Sequence, residues 1–106
     1  MKLKNYAEGR WQAHHGDGVA QHHAITGELI GTASSEGLDY EAMAHYARTV
    51  GGKALRKMTF YERGYMLKKL ALYLTEIKKK YYAISYQSGA TKSDSWVDID
   101  GGIGTL

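Results

Sequence analysis

Thr59-Phe60-Tyr61-Glu62-Arg63-Gly64-Tyr65-Met66-Leu67-Lys68-Lys69-Leu70-Ala71-Leu72-Tyr73-Leu74 is the stretch on which the reading of this chain turns. Thr59 and Glu62 stand at capping-box spacing: the hydroxyl can accept from the amide three residues on, and the carboxylate can reach back to the amide of the threonine. Beyond them Met66, Leu67, Leu70, Leu74, Ile77, Tyr81 and Ile84 recur at intervals of three and four. That period lays one apolar stripe along a helix. Lys68, Lys69, Lys79 and Lys80 fall off the stripe, and Glu76 is one turn before Lys80, where an ion pair is expected. The pattern runs to about Gln87, before Ser88-Gly89. It is long for one globular helix, so a break is expected between Thr75 and Lys78.

Working outward, Asp39 is the expected N-cap of a preceding helix, with Tyr40, Met43, Ala47 and Val50 on one face and Gly51-Gly52 as its stop. Before Asp39 the chain reads as strands and turns. Glu8-Gly9, between Tyr6 and Trp11, is the expected turn of a hairpin over Lys4 to Gln12; His14-His15-Gly16-Asp17-Gly18 is a loop. Val19 to Ala24 reads as extended, and Thr26-Gly27-Glu28 as a turn into a short strand from Leu29 to Ala33. After Gly89, Ser93 or Asp94 is the expected cap of a further helix carrying Trp96, Val97, Ile99 and Ile103. Gly101, Gly102 and Gly104 within it cost about 1 kcal/mol each relative to alanine, and so imply close packing against another element. That helix reaches Leu106 without a cap, the pattern expected of an interrupted element in a chain shorter than its fold.

The expected class is therefore α+β, with strands and a hairpin over residues 1–36 and three to four helices over 37–106. The chain has 106 residues, with 43% apolar and 24% charged side chains, which is globular composition and enough for one domain or part of one. Thirteen glycines accompany no proline and no cysteine, so disulfides, thiolate metal sites and cysteine nucleophiles are excluded from these residues. Met1-Lys2-Leu3-Lys4-Asn5 leads into no apolar run of the secretory kind, and a cytoplasmic location is expected. The net charge of +3 is uneven: residues 1–52 carry four basic and six acidic side chains, residues 53–106 ten and five.

Three clusters carry side chains capable of chemistry. His14-His15 and His22-His23 could offer imidazoles to zinc, but neighbours on an extended chain point to opposite faces, and exposed loop histidines are the favoured reading. Residues 53–80 hold nine basic and two acidic side chains with aromatics between them; a solvated helix face explains them better than a nucleic-acid surface. Asp94, Asp98 and Asp100 lack the spacing and terminal glutamate of a calcium loop, and capping and solvation account for them. No phosphate loop, nucleophile elbow or carboxylate pair is present.

The order of these elements resembles the aldehyde dehydrogenases. Asn5-Tyr6-Ala7-Glu8-Gly9-Arg10-Trp11 is similar to their opening strand pair, and Ile25-Thr26-Gly27-Glu28-Leu29-Ile30 to the turn after an asparagine-proline pair, here His23-Ala24. Glu62-Arg63 followed by Leu67, Leu70-Ala71 and Leu74 is similar to the family's capped, leucine-rich helix. Ser88-Gly89-Ala90-Thr91-Lys92 is similar to its threonine-glycine-lysine turn, and Val97-Asp98-Ile99 to the helix after it. Arg48 to Arg56, Met58-Thr59-Phe60 and Ser95-Trp96-Val97-Asp98-Ile99-Asp100-Gly101-Gly102-Ile103-Gly104-Thr105-Leu106 resemble the branch acting in phenylacetate degradation, whose semialdehyde dehydrogenase is often joined to a hydratase-like domain that opens an oxepin-CoA ring. Semialdehyde dehydrogenases of the benzoyl-CoA pathway are the nearest similar group.

The resemblance implies an α/β parent in which residues 1–106 form the N-terminal portion of the coenzyme-binding region. It implies NADP or NAD as cofactor of the parent, a homo-oligomer, the rest of the dehydrogenase domain as partner, and neither nucleic acid nor membrane. The family's catalytic cysteine, general-base glutamate and dinucleotide-binding elements would follow Leu106, so no catalytic or cofactor residue carries over. The isolated chain is expected to be inactive and to hold no cofactor. A structural cation site of some members would map to the Asp98 carboxylate and the carbonyls of Gln21 and His22. The alternative reading is a small α+β interaction module that uses its basic amphipathic helix.

Overall fold

Glu8 and Gly9 take φ of 51° and 78°, the paired left-handed conformations that a two-residue hairpin turn needs. In the computed structural model, which describes all residues from Met1 to Leu106, they join β1 (Lys4–Ala7) to β2 (Arg10–Ala13) with Tyr6 opposite Trp11. The two rings meet edge to face, their centroids 5.1 Å apart. A second antiparallel pair, β3 (Val19–His22) and β4 (Leu29–Ala33), shifts register between Gln21 and His22. Gln21 pairs with Gly31 and His22 with Leu29, leaving Ile30 as the extra residue of a bulge. The amino-terminal arm lies along β4, with the Thr32 amide donating to the Met1 carbonyl at 2.9 Å and the Leu3 amide to the Thr32 carbonyl at 2.8 Å. Gly31 leaves room for that arm, since a Cβ there would lie 2.5 Å from the Met1 oxygen.

Asp39 caps α1 (Tyr40–Tyr46) by accepting from the Ala42 amide at 2.9 Å. The stop expected at Gly51-Gly52 is absent. Glycine ends a helix when it turns left-handed, and these two take φ of −63° and −62°, so a π-turn (Ala47–Gly51) leads straight into α2 (Gly52–Arg56). These elements, Met1–His22 and Glu28–Lys57, make one compact unit. Its buried residues are few and include Ala7 and His14.

The second unit comprises His23–Gly27 and Met58–Leu106. The capping box is formed: the Glu62 amide donates to Thr59 Oγ1 at 3.1 Å and the Thr59 amide to Glu62 Oε2 at 2.7 Å. It opens α3 (Phe60–Ile77), and α4 (Lys79–Gln87) follows after a break at Lys78, inside the expected range. Gly89, with φ of 87°, reverses the chain beside Ala24, whose amide donates to the Gln87 carbonyl at 2.8 Å. The next cap is not Ser93 or Asp94. Thr91 occupies that position, two residues before Ser93 and three before Asp94, in a second capping box with Asp94 as its acidic member. From it run α5 (Lys92–Ser95), a π-turn (Trp96–Asp100) and α6 (Gly101–Gly104) as one continuous rod.

The chain is thus α+β as expected: two hairpins and four helical rods, counting α1–α2 and α5–α6 as one each. No helix is long and apolar enough to cross a membrane. The close packing expected around Gly101, Gly102 and Gly104 is not supplied within the chain, for a Cβ at any of them would meet open space.

Candidate interaction surface

The most unusual surface belongs to α3. Its predicted stripe turns toward α6 only at its far end, where Leu74 lines a groove of about 350 Å³ with Tyr81, Ile99, Ile103 and Leu106. Met66, Leu67 and Leu70, nearer the start, stay exposed. At 100° per residue, Tyr61, Tyr65 and Leu72 fall on a second side of the same helix, and they too are exposed. Phe60 and Tyr61 show 87% and 79% of their surface to solvent. Tyr61 stacks on Tyr65 with ring planes 8° apart, and the Lys69 ammonium stands 5.0 Å from the Tyr65 ring centre. A helix apolar on two sides is normally buried in a larger body. The reading of the lysines as a solvated face opposite a buried one is therefore corrected for the first half of α3, where both apolar sides are open.

A polar corner holds the other end of the unit. The Asp100 carboxylate receives the Lys78 ammonium on one oxygen and the Tyr82 hydroxyl on the other. Both contacts hold the Asp100 carboxyl below its ordinary range, the lysine first. In return, the hydrogen bond to Asp100, and then burial, push the Tyr82 hydroxyl up to about 12. The pair expected between Glu76 and Lys80 does not form, since the break at Lys78 ends the straight helix on which their spacing was counted. In the two capping boxes, the Thr59 amide and then its hydroxyl lower the Glu62 carboxyl, and the Thr91 hydroxyl and then its amide lower that of Asp94.

The histidines divide. His14 is buried rather than exposed, its Nδ1 2.9 Å from the His15 carbonyl and its Nε2 3.2 Å from the Thr32 hydroxyl. Its Nε2 lies equally 3.2 Å from the Thr32 carbonyl, and these contacts make His14 a strut of the β3–β4 unit. His23 caps its own turn, Nδ1 accepting from the amides of Ile25 at 3.2 Å and Thr26 at 3.4 Å. It serves there as an asparagine would. His15 and His22 are exposed.

Of the residues assigned to a structural cation, Gln21 and His22 are neighbours on β3 in the first unit, and Asp98 lies on the π-turn of the second. No three metal-binding side chains gather anywhere in the chain. Nor do the residues fit a dinucleotide. The glycines with positive φ sit in hairpins, loops and helix ends, and the β4-to-α1 connection, Ser34-Ser35-Glu36-Gly37-Leu38-Asp39, has one glycine where a phosphate-binding turn uses three.

No family model matches the sequence. Over its whole length, however, the chain is homologous to a CoA-linked semialdehyde dehydrogenase of the aldehyde dehydrogenase superfamily. The relative is 3,4-dehydroadipyl-CoA semialdehyde dehydrogenase of Aromatoleum evansii, 40% identical over 107 aligned positions that cover 100% of this chain and 21% of the relative. The chain spans about a fifth of that relative's length.

Proposed function

We propose that this chain is the N-terminal portion of the coenzyme-binding region of an NAD(P)-dependent dehydrogenase that oxidises a CoA-linked semialdehyde to the carboxylic acid, in the breakdown of aromatic acids such as phenylacetate. The observation that carries the reading is the 40% identity to a CoA-linked semialdehyde dehydrogenase along every part of the chain. The open faces of α3 agree with it, being the surface a docking layer presents to the rest of an enzyme. In the parent, thiolate attack on the aldehyde, hydride transfer and thioester hydrolysis belong to residues outside this chain. The residues present supply α3 as a packing face, the Asp100 corner as a brace and the bulged β3–β4 pair as an anchor. Residues 1–106 alone turn over no aldehyde and bind no coenzyme.

The test is a chimera in which this chain replaces the corresponding fifth of the Aromatoleum evansii enzyme. NAD(P)-dependent oxidation of the CoA-linked semialdehyde is expected to survive, and to fall when Leu70 is changed to Glu. A folded chimera without activity counts against the reading. So does an isolated chain that melts cooperatively as a monomer and binds an anionic partner in a salt-sensitive way, which is the behaviour of an independent basic module.

A further inference from the structure

A π-turn is rare and closes its hydrogen bonds over five residues rather than four. The second one here lies where the chain changes from a capped α-helical start to a glycine-rich end, and the Gly101 amide is shared among the carbonyls of Trp96, Val97 and Asp98, the first of these being the π-type bond. Its effect is one of phase. In an uninterrupted α-helix, five residues turn through 500°, so Asp100 would sit roughly 140° around the axis from Ser95. Ser95 is fully buried, its hydroxyl on that of Ser85 at 2.9 Å, so its side of the rod is the side turned to α4. The wider π-turn brings the residue five positions on back toward the same side. Asp100 accordingly reaches Lys78 and Tyr82 at the start of α4, while Ser95 meets Ser85 nearer its end. The same phase sets Ile103 into the groove with Leu74 and Tyr81 and leaves the Cβ positions of Gly101, Gly102 and Gly104 in open space.

We propose that Asp100 and the π-turn form one conformational device: capture of the carboxylate by Lys78 and Tyr82 holds the turn open, and release lets Trp96–Asp100 relax to ordinary α-helix and rotates α6. Two features favour a rod with two states. The three glycines of α6 offer no side chain that would resist rotation, and Ile103 and Leu106 are the apolar anchors beyond the turn. The device therefore decides whether Ile103 stays in the groove with Leu74 of α3 or turns out of it. This inference does not depend on the dehydrogenase reading.

The chain has no cysteine of its own, so nitroxide labels on Leu72→Cys and Gly104→Cys report the distance between α3 and α6 directly. Asp100→Ala is expected to move that distance by roughly 7 Å, the chord of a quarter-turn at the outer radius of a helix. Deleting Val97 from the Asp100→Ala chain removes the extra residue of the turn and is expected to restore the original distance, because a plain α-helix then carries α6 in its native phase. An unchanged distance in Asp100→Ala overturns the proposal. So does a distance that Val97 deletion fails to restore, including the case in which Asp100→Ala loses helicity by circular dichroism and the deletion does not recover it.

Discussion

Ser95 Oγ donates to Ser85 Oγ across 2.9 Å, and Ser95 is the one side chain in the molecule with no solvent exposure at all. The contact ties α5 to α4 at a point where α5, Lys92-Ser93-Asp94-Ser95, offers no apolar side chain. Ser95→Ala leaves the Ser85 hydroxyl short of a partner, an expected loss of about 1 kcal/mol. Ser95→Leu overfills the same spot and is expected to lose about 1–3 kcal/mol. Urea titration followed by far-ultraviolet circular dichroism ranks the three chains, and a leucine variant as stable as the parent would show that the two helices are not packed this closely.

The two capping boxes act on separate helices. Thr59→Ala and Thr91→Ala are each expected to destabilise by about 1 kcal/mol, with serine at either place close to native. The double variant is expected to lose the sum, because the two helix starts share no partner. Amide hydrogen exchange at Tyr61, Glu62, Ser93 and Asp94 reads each cap separately.

The Asp100 corner makes stability depend on pH at both ends of the scale. Asp100 titrates lower in the fold than in the open chain, so its contribution is complete above the ordinary carboxylate pKa of about 3.9 and disappears as pH falls through the lowered value. Tyr82 titrates higher in the fold, at about 12, so its contribution is complete below the ordinary tyrosine pKa of about 10 and is lost as pH rises between the two. Tyrosinate absorbance is expected to show one tyrosine titrating late, and Asp100→Asn is expected to bring it back toward the others. A late tyrosine that persists in Asp100→Asn would assign the shift to burial instead.

Gly31 is a packing requirement for the amino-terminal arm. Gly31→Ala sets a Cβ against the Met1 oxygen and is expected to destabilise the β3–β4 unit by about 1–3 kcal/mol. Removing Met1 and Lys2 from the same variant is expected to recover most of the difference. Thermal melts of the four chains, with and without the arm and with and without the alanine, measure that coupling, and a penalty that survives removal of the arm would place the strain elsewhere.

The isolated chain is expected to bind a hydrophobic dye through α3, and Leu70→Glu or Tyr65→Glu to reduce the signal. Dye fluorescence that ignores both substitutions would mean that another surface holds the dye.

Much of this architecture was legible where the interactions are local. The Thr59 box, the Asp39 cap and the Glu8-Gly9 turn each depend on residues no more than four apart, and the break at Lys78 was legible from the length of the stripe. Thr91 obeys the same three-residue rule with Asp94, so its cap too was legible from local spacing, although Ser93 and Asp94 are the residues expected there. Gly51-Gly52 misled because composition does not reveal the sign of φ, and a π-turn carried the helix through both. His14 meets Thr32 across eighteen positions and Asp100 meets Lys78 across twenty-two, separations at which no spacing rule operates. The apolar stripe was legible as a pattern. Its partner was not, because within the chain the stripe meets α6 only at its far end and leaves Met66, Leu67 and Leu70 exposed.

The hairpins carry a consequence in backbone hydrogen bonds. Each sheet has two strands, so every strand in the molecule is an edge strand, and only β4 has the amino-terminal arm against its outer side. A two-stranded ladder is marginal in water by itself, and its outer amides and carbonyls are a template for another strand. A strand added to such an edge pairs through main chain in register, an addition that accepts almost any side chain and is therefore less sensitive to substitution than the helix faces.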